Sequence, residues 1–296
     1  MPSVTNSGRM AEALDRRRHP FRPDLAAYYL RAACEAGRYA EPVRRTVGAE
    51  VAAIRAKPEP DAMQISELLA GEPVDVYEAA NGWCWCQGAL DGYVGYVESA
   101  SLTANAPPAT HIVSARLSHL FPEPSIKLRP AGRLTLGARI AIRSVSGKFA
   151  ELDDGRHIIA SHVRPIGMPE SDPAAIALRF LGAPYLWGGR STLGLDCSGL
   201  VQVTHQACGL LPPRDSDMLA AELGVSRPIP DSPAGLQRND VVFFPGHCMI
   251  ADGAGGLIHA NATHMMVTHE PADVVFERTR GGWGSVNAIR NAVSTD

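Results

Sequence analysis

A chain of 296 residues, 45% of them apolar, is long enough to organise two or three hydrophobic cores rather than one. The formal net charge of −3 provides no bulk basic field, which argues against nucleic acid or an anionic membrane as the main partner. No apolar run reaches the roughly 18 residues of a membrane span, and the amino-terminal stretch lacks the apolar core of a secretory signal; a cytoplasmic protein is therefore expected.

In chain order, residues 1–46 read as a helical amino-terminal segment. Asp24 to Ala36 has helix-compatible content, with Pro23 ahead of it and Gly37 as its stop. From 47 to 104 the texture changes to short alternating strands, among them Pro73–Tyr77, Gly82–Cys86 and Asp91–Val97. This pattern predicts a small β-barrel. Cys84 and Cys86, two apart on a strand, should face one side and Trp83 and Trp85 the other. A Pro/Ala linker leads to a weaker second copy over 110–167, and a further linker to residues 172–296, where Asp172 and Pro173 are placed to start a helix that Gly182 ends. The fold class expected is multidomain α+β, with two small barrels followed by an α+β domain.

The six cysteines, at 34, 84, 86, 197, 208 and 248, show neither the paired spacing of a disulfide framework nor that of a zinc ribbon. They read as reduced thiols, with no metal or cofactor implied. Cys197 stands apart. It follows the Gly-rich run Tyr185-Leu-Trp-Gly-Gly and begins a helical pattern at Asp196-Cys-Ser-Gly-Leu-Val. A helix start stabilises the thiolate, which is the nucleophilic form. Downstream, Asp240–Phe244 reads as a buried strand, followed by a Pro245-Gly246 turn and a hairpin whose arms carry His247 and His259. The two-residue period sets both imidazoles on one face, opposite or diagonal to each other, so that one can take the thiol proton while the other orients it.

Taken together, Tyr185–Gly189, Asp196–Val201, Asn239–Phe244, His247–Gly253 and Leu257–Ala260 resemble the NlpC-type cell-wall cysteine peptidases, which have a papain-like fold. The resemblance implies Cys197 as nucleophile, His247 as base and acid, His259 as orienting residue, and Tyr185 with the Cys197 N–H as oxyanion donors. Relatives with bacterial SH3-like barrels, the γ-D-glutamyl-diamino-acid endopeptidases, extend it over most of the chain. They imply a peptidoglycan-derived substrate with a free L-Ala, contacted by Asp196, Ser198, Trp187, Asp215, Ser216 and a barrel tyrosine, Tyr93 before Tyr96. Helix capping is the competing reading of Asp215 and Ser216. Two departures stand out. Asn239 replaces a glycine, and Cys248-Met249 replaces Val-Gly, where Met249 would crowd the groove. The rival functions are a non-catalytic wall-peptide binding module and a related Cys-His amidase or acyltransferase.

Overall fold

The computed structural model describes residues 14–293, which divide between Ala106 and Pro107 into two compact units. In the first, the alternating stretches form β1 (Val43–Val47), β2 (Val51–Arg55), β3 (Gln64–Leu69), β4 (Pro73–Ala80), β5 (Trp83–Gly88), β6 (Val94–Glu98) and β7 (Leu102–Thr103). They pair antiparallel in the order β3-β2-β6-β5-β4-β1-β7. This is an open sheet; among the described residues no ladder joins its two ends into a closed barrel. The pleat sorts the side chains as expected. Cys84 and Cys86 enter the core with Val74, Val76 and Val97, while Trp85 faces the other side with Tyr77.

The helix expected over Asp24–Ala36 is not formed. Ala26–Ala27 pairs in parallel with Tyr39–Ala40, and only Tyr28–Leu30 makes a 3-10 turn. Leu25, Ala27, Leu30 and Cys34 are buried against Tyr77, Trp85 and Val94, and the Ala26 N–H donates to the Arg38 carbonyl at 3.0 Å. A helix of this length is marginal by propensity alone, so burial on the sheet decides the conformation. The reading of residues 1–13 as the start of that segment, without a secretory signal, lies outside the described residues.

In the second unit, the stretch expected to be a second barrel forms three small sheets. Arg139–Ile140, His111–Val113 and Val163–Pro165 make one; Leu117–Leu120 with Gly132–Thr135 makes another; Ile142–Ser146, Phe149–Leu152 and His157–Ile159 make the third. These sheets are tied to the carboxy-terminal half of the unit. Leu136 enters the core of that half, and Arg179 and Arg116 donate to the Ser114 and Leu181 carbonyls, each at 3.3 Å.

The carboxy-terminal half is built on β8 (Val225–Arg227), β9 (Val241–Phe244), β10 (His247–Ala251), β11 (Gly256–Asn261), β12 (Met266–Pro271) and β13 (Ala288–Asn291), in the order β8-β13-β9-β10-β11-β12. Its helices are α1 (Pro173–Leu178), α2 (Cys197–Ala207), α3 (Ser216–Glu222) and α4 (Ala272–Arg278). Leu200, Val201 and Val203 of α2 pack on one face of the sheet, against Val241, Phe243, Cys248 and Ile258. Val275 and Phe276 of α4 cover the other face, against Val242, Met249 and Leu257. Asp172 caps α1 by accepting from the Ala175 N–H at 3.2 Å.

Asn239 accounts for its own departure from glycine. It leads into β9 with φ of 67°, the left-handed region that Asn tolerates best after Gly. Its side-chain oxygen also accepts from the Ala174 N–H at 2.9 Å, tying the start of α1 to the sheet.

Candidate active site

Cys197 is the first residue of α2, and Asp196 is the N-cap, accepting from the Gly199 N–H at 2.7 Å. Position 199 must be glycine, because a Cβ there would stand 2.1 Å from the Gly189 carbonyl. The close approach folds the Gly-rich run over the helix start. Cys197 is 8% exposed. Hydrogen bonding from Cys248 and then His247 holds its thiol well below the ordinary range, against burial and the nearby Asp196 charge. Burial pushes the other way at Cys34, Cys86 and Cys248, and takes Cys208 up to about 12. Cys197 is thus the thiol whose surroundings favour the anion.

His247 opens β10, its ring 5.2 Å from that of Phe244. Ile250 pairs with Ile258, so His247 and His259 are diagonal neighbours on one face, and 2.8 Å separates His247 Nε2 from His259 Nδ1. His259 is 3% exposed. Burial, reinforced by His247, lowers its pKa to about 4, which keeps this imidazole neutral near pH 7. Its Nε2 lies 3.0 Å from Oε2 of Glu270, on β12. Glu270 is held by Arg278 at 2.6 and 2.5 Å and by Thr268 at 2.9 Å. A cleft of about 300 Å³ opens beside these groups, walled by Phe244, His247, His259, Asn261 and Arg278.

Tyr185 bridges to Leu195, which brings it beside the α2 start. Burial, then the negative charge of Cys197 and Asp196, raises its phenol to about 12, so it remains a donor. Asp196 and Ser198, expected to touch substrate, are engaged internally. Arg214 donates to both Asp196 oxygens, at 2.9 and 2.7 Å, and to Ser198 Oγ at 2.8 Å, while the Gly188 N–H donates to Asp196 at 2.8 Å. Asp215 is the N-cap residue of α3 and Ser216 its first residue, yet the Asp215 carboxylate makes no capping bond. Trp187 is 62% exposed. In the first unit, Tyr93 is 4% exposed in the core, and the Tyr96 hydroxyl accepts from Arg22 at 3.0 Å. Met249 does not crowd the cleft. It is fully buried against Val242, Leu257 and Phe276, because α4 covers that part of the face.

The sequence reading missed Arg214 and Glu270. Arg214 immediately precedes Asp215, but nothing in its spacing announces a bond to Asp196. Glu270 carried a signal: it follows Thr268 by two residues, and Thr268 pairs directly with His259. His264 reaches the other Glu270 oxygen at 3.1 Å, and His269 lies 2.7 Å from Asp252. Among the described residues no cluster of three or more His, Cys, Asp or Glu is arranged to hold a metal. No helix there is long and apolar enough to cross a membrane.

Residues 182–283 match the NlpC/P60 family, and residues 54–102 match the bacterial dipeptidyl-peptidase Sh3 domain. Among curated proteins the chain is similar to dipeptidyl-peptidase 6 of Lysinibacillus sphaericus, 26% identical over 72% of this chain and 86% of that protein. It is also similar to the γ-D-glutamyl-L-lysine dipeptidyl-peptidase of Bacillus subtilis, 29% identical over 58% of this chain and 61% of that one. A crystal structure of an NlpC/P60 family protein from Bacillus cereus superposes with a TM-score of 0.71 at 20% identity, covering 85% of this chain and all of that one. At that identity the likeness speaks to the fold.

Proposed function

Since this chain carries an NlpC/P60 peptidase domain together with a bacterial SH3 domain, we propose that it is a cysteine peptidase cutting the bond between γ-D-glutamate and the following diamino acid. Its substrates would be peptidoglycan-derived peptides that begin with a free L-Ala. The observation that carries this reading is the placement of Cys197 at the start of α2 together with the 2.8 Å imidazole pair of His247 and His259; His247 also helps to hold the Cys197 thiol below its ordinary range. The name of the Bacillus subtilis relative, a γ-D-glutamyl-L-lysine dipeptidyl-peptidase, supports the choice of peptide bond.

The residues supply each step. The Cys197 thiolate attacks the γ-carbonyl carbon of the D-glutamyl residue, and the developing oxyanion takes hydrogen bonds from the Cys197 N–H and the Tyr185 hydroxyl. Protonated His247 gives its Nδ1 proton to the departing amine of the diamino acid, leaving a thioester on Cys197. His247 then takes a proton from water, the hydroxide adds to the thioester carbon, and the dipeptide leaves with regeneration of the thiolate–imidazolium pair. Selectivity for a free amino terminus is assigned to Asp215. An ammonium beside a carboxylate is favourable, and an acylated amine would offer that carboxylate no counter-charge. The dipeptidyl-peptidase names of both curated relatives support selection at the amino terminus.

The test compares L-Ala-γ-D-Glu-diaminopimelate with its N-acetylated form by mass analysis of the products. Cleavage confined to the free-amine peptide, with the preference lost in Asp215→Ala, is expected. Equal cleavage of both by the wild type would refute the assigned selectivity.

A further inference from the structure

The hydrogen-bonded line does not end at His259. Three residues on adjacent strands, His247 of β10, His259 of β11 and Glu270 of β12, lie on one face, each diagonal to the next. Their atoms are spaced at 2.8 Å and then 3.0 Å. An imidazole is asymmetric when neutral: one nitrogen carries the proton and the other is a bare acceptor. Which is which at His259 decides what His247 can do. With the proton on Nδ1, His259 would point a donor at His247 Nε2, forcing that atom to accept and moving the His247 proton to Nδ1, the position needed to take the thiol proton. With the proton on Nε2, His259 offers a lone pair, His247 donates through Nε2, and its Nδ1 is left as a base.

We propose that Glu270 is a positioning residue that fixes His259 as the Nε2–H tautomer and thereby leaves His247 Nδ1 as the base toward Cys197. This rests on the peptidase reading and extends it by a residue. The carboxylate can only accept when ionised, and three neighbours hold it as an acceptor. Arg278 binds both oxygens at 2.6 and 2.5 Å, Thr268 donates to Oε2 at 2.9 Å, and His264 approaches Oε1 at 3.1 Å. The competing group at His259 Nε2 is the Asn261 side-chain nitrogen. It stands farther off, at 3.4 Å, and has a better partner in Thr268 Oγ1 at 2.7 Å. Thr268 passes that polarity on to Glu270, so the whole cluster is consistent with one proton assignment.

The variant is Glu270→Gln. Its amide oxygen goes to Arg278, so an N–H faces His259 and favours the wrong tautomer. The experiment reads His259 by ¹⁵N NMR of histidine-labelled protein and the rate of Cys197 alkylation by iodoacetamide at neutral pH. Each is measured in the wild-type background and in a His259→Gln background, where an amide carbonyl replaces the ring. Wild-type His259 should show protonated Nε2 and bare Nδ1. Glu270→Gln should shift that signature and slow alkylation by roughly 10- to 100-fold, the range for a second partner removed from the reacting atoms. In the His259→Gln background the same change should slow alkylation by less than about twofold, because no tautomer remains to be set. A wild-type His259 protonated at Nδ1 would overturn the proposal. So would an equal loss from Glu270→Gln in both backgrounds, the mark of a merely structural residue. Both readouts are taken without substrate, so failure of the peptide assignment would leave them interpretable and would show itself separately, as absent peptide cleavage.

Discussion

Replacing Arg214 by methionine keeps most of its length and removes its charge from a place where it is 1% exposed. The wild-type guanidinium spans both oxygens of Asp196, bonds Ser198 Oγ, and reaches the Gly189 carbonyl at 3.3 Å. Breaking a buried pair by removing one partner costs about 3–5 kcal/mol, since the remaining charge is uncompensated. Asp196 keeps the Gly188 and Gly199 N–H groups and the Ser198 hydroxyl. These bonds place the expected loss at the low end, about 3 kcal/mol. Urea unfolding at pH 7 measures it. Asp196→Asn combined with Arg214→Met removes both charges while retaining an N-cap acceptor, so the pair should cost clearly less than the sum of the single changes. Arg214→Met should also raise the pH at which Cys197 becomes reactive, because the Asp196 charge already opposes the thiolate and would act unshielded. A loss under about 1 kcal/mol, or additive single costs, would refute the reasoning.

Cys248 is the first cause of the lowered Cys197 pKa, so Cys248→Ala should move the alkylation midpoint of Cys197 to higher pH while leaving Cys197 the first cysteine labelled; an unmoved midpoint would refute that dependence. Asn239→Ala should cost about 2–3 kcal/mol in urea unfolding, combining the positive φ with the lost bond to Ala174, whereas Asn239→Gly should cost about 1 kcal/mol because only the bond is lost. Buried His205 has its pKa lowered to about 4 by burial, below an unfolded value of about 6.5, so in this window the unfolded chain binds the proton and stability falls as pH falls. Between pH 7 and pH 5 its share is about 2 kcal/mol, and His205→Phe should shrink the measured loss by that amount. Tyr185→Phe should lower kcat by roughly 10²–10³-fold with little change in KM, the loss that removal of one oxyanion donor brings.

The parts of this molecule legible in the sequence are those set by local chemistry. Asp196 before Cys197 and Asp172 before Pro173 read as helix starts because a cap acts within three residues, and both make the capping bond. The strand period placed His247 and His259 on one face, because a two-residue repeat survives whatever the strand packs against. Features that depend on partners far along the chain were not legible. Asp24–Ala36 has helical composition and lost its helix to a sheet formed by residues some fifty positions later. Met249 shares the face of His247 by period, yet α4 covers it, a fact of tertiary packing alone. Arg214 and Asp196 are 18 residues apart and meet only because the Gly-rich run closes over the start of α2.

The central claim is that a thiolate at Cys197 cuts a γ-D-glutamyl bond, and its most direct measurement is the fate of L-Ala-γ-D-Glu-diaminopimelate incubated under reducing conditions with the wild type and with Cys197→Ala. Release of L-Ala-γ-D-Glu and free diaminopimelate by the wild type, and an intact tripeptide with the variant, are expected. An intact tripeptide with folded, reduced wild-type protein, or cleavage that persists in Cys197→Ala, would contradict the claim.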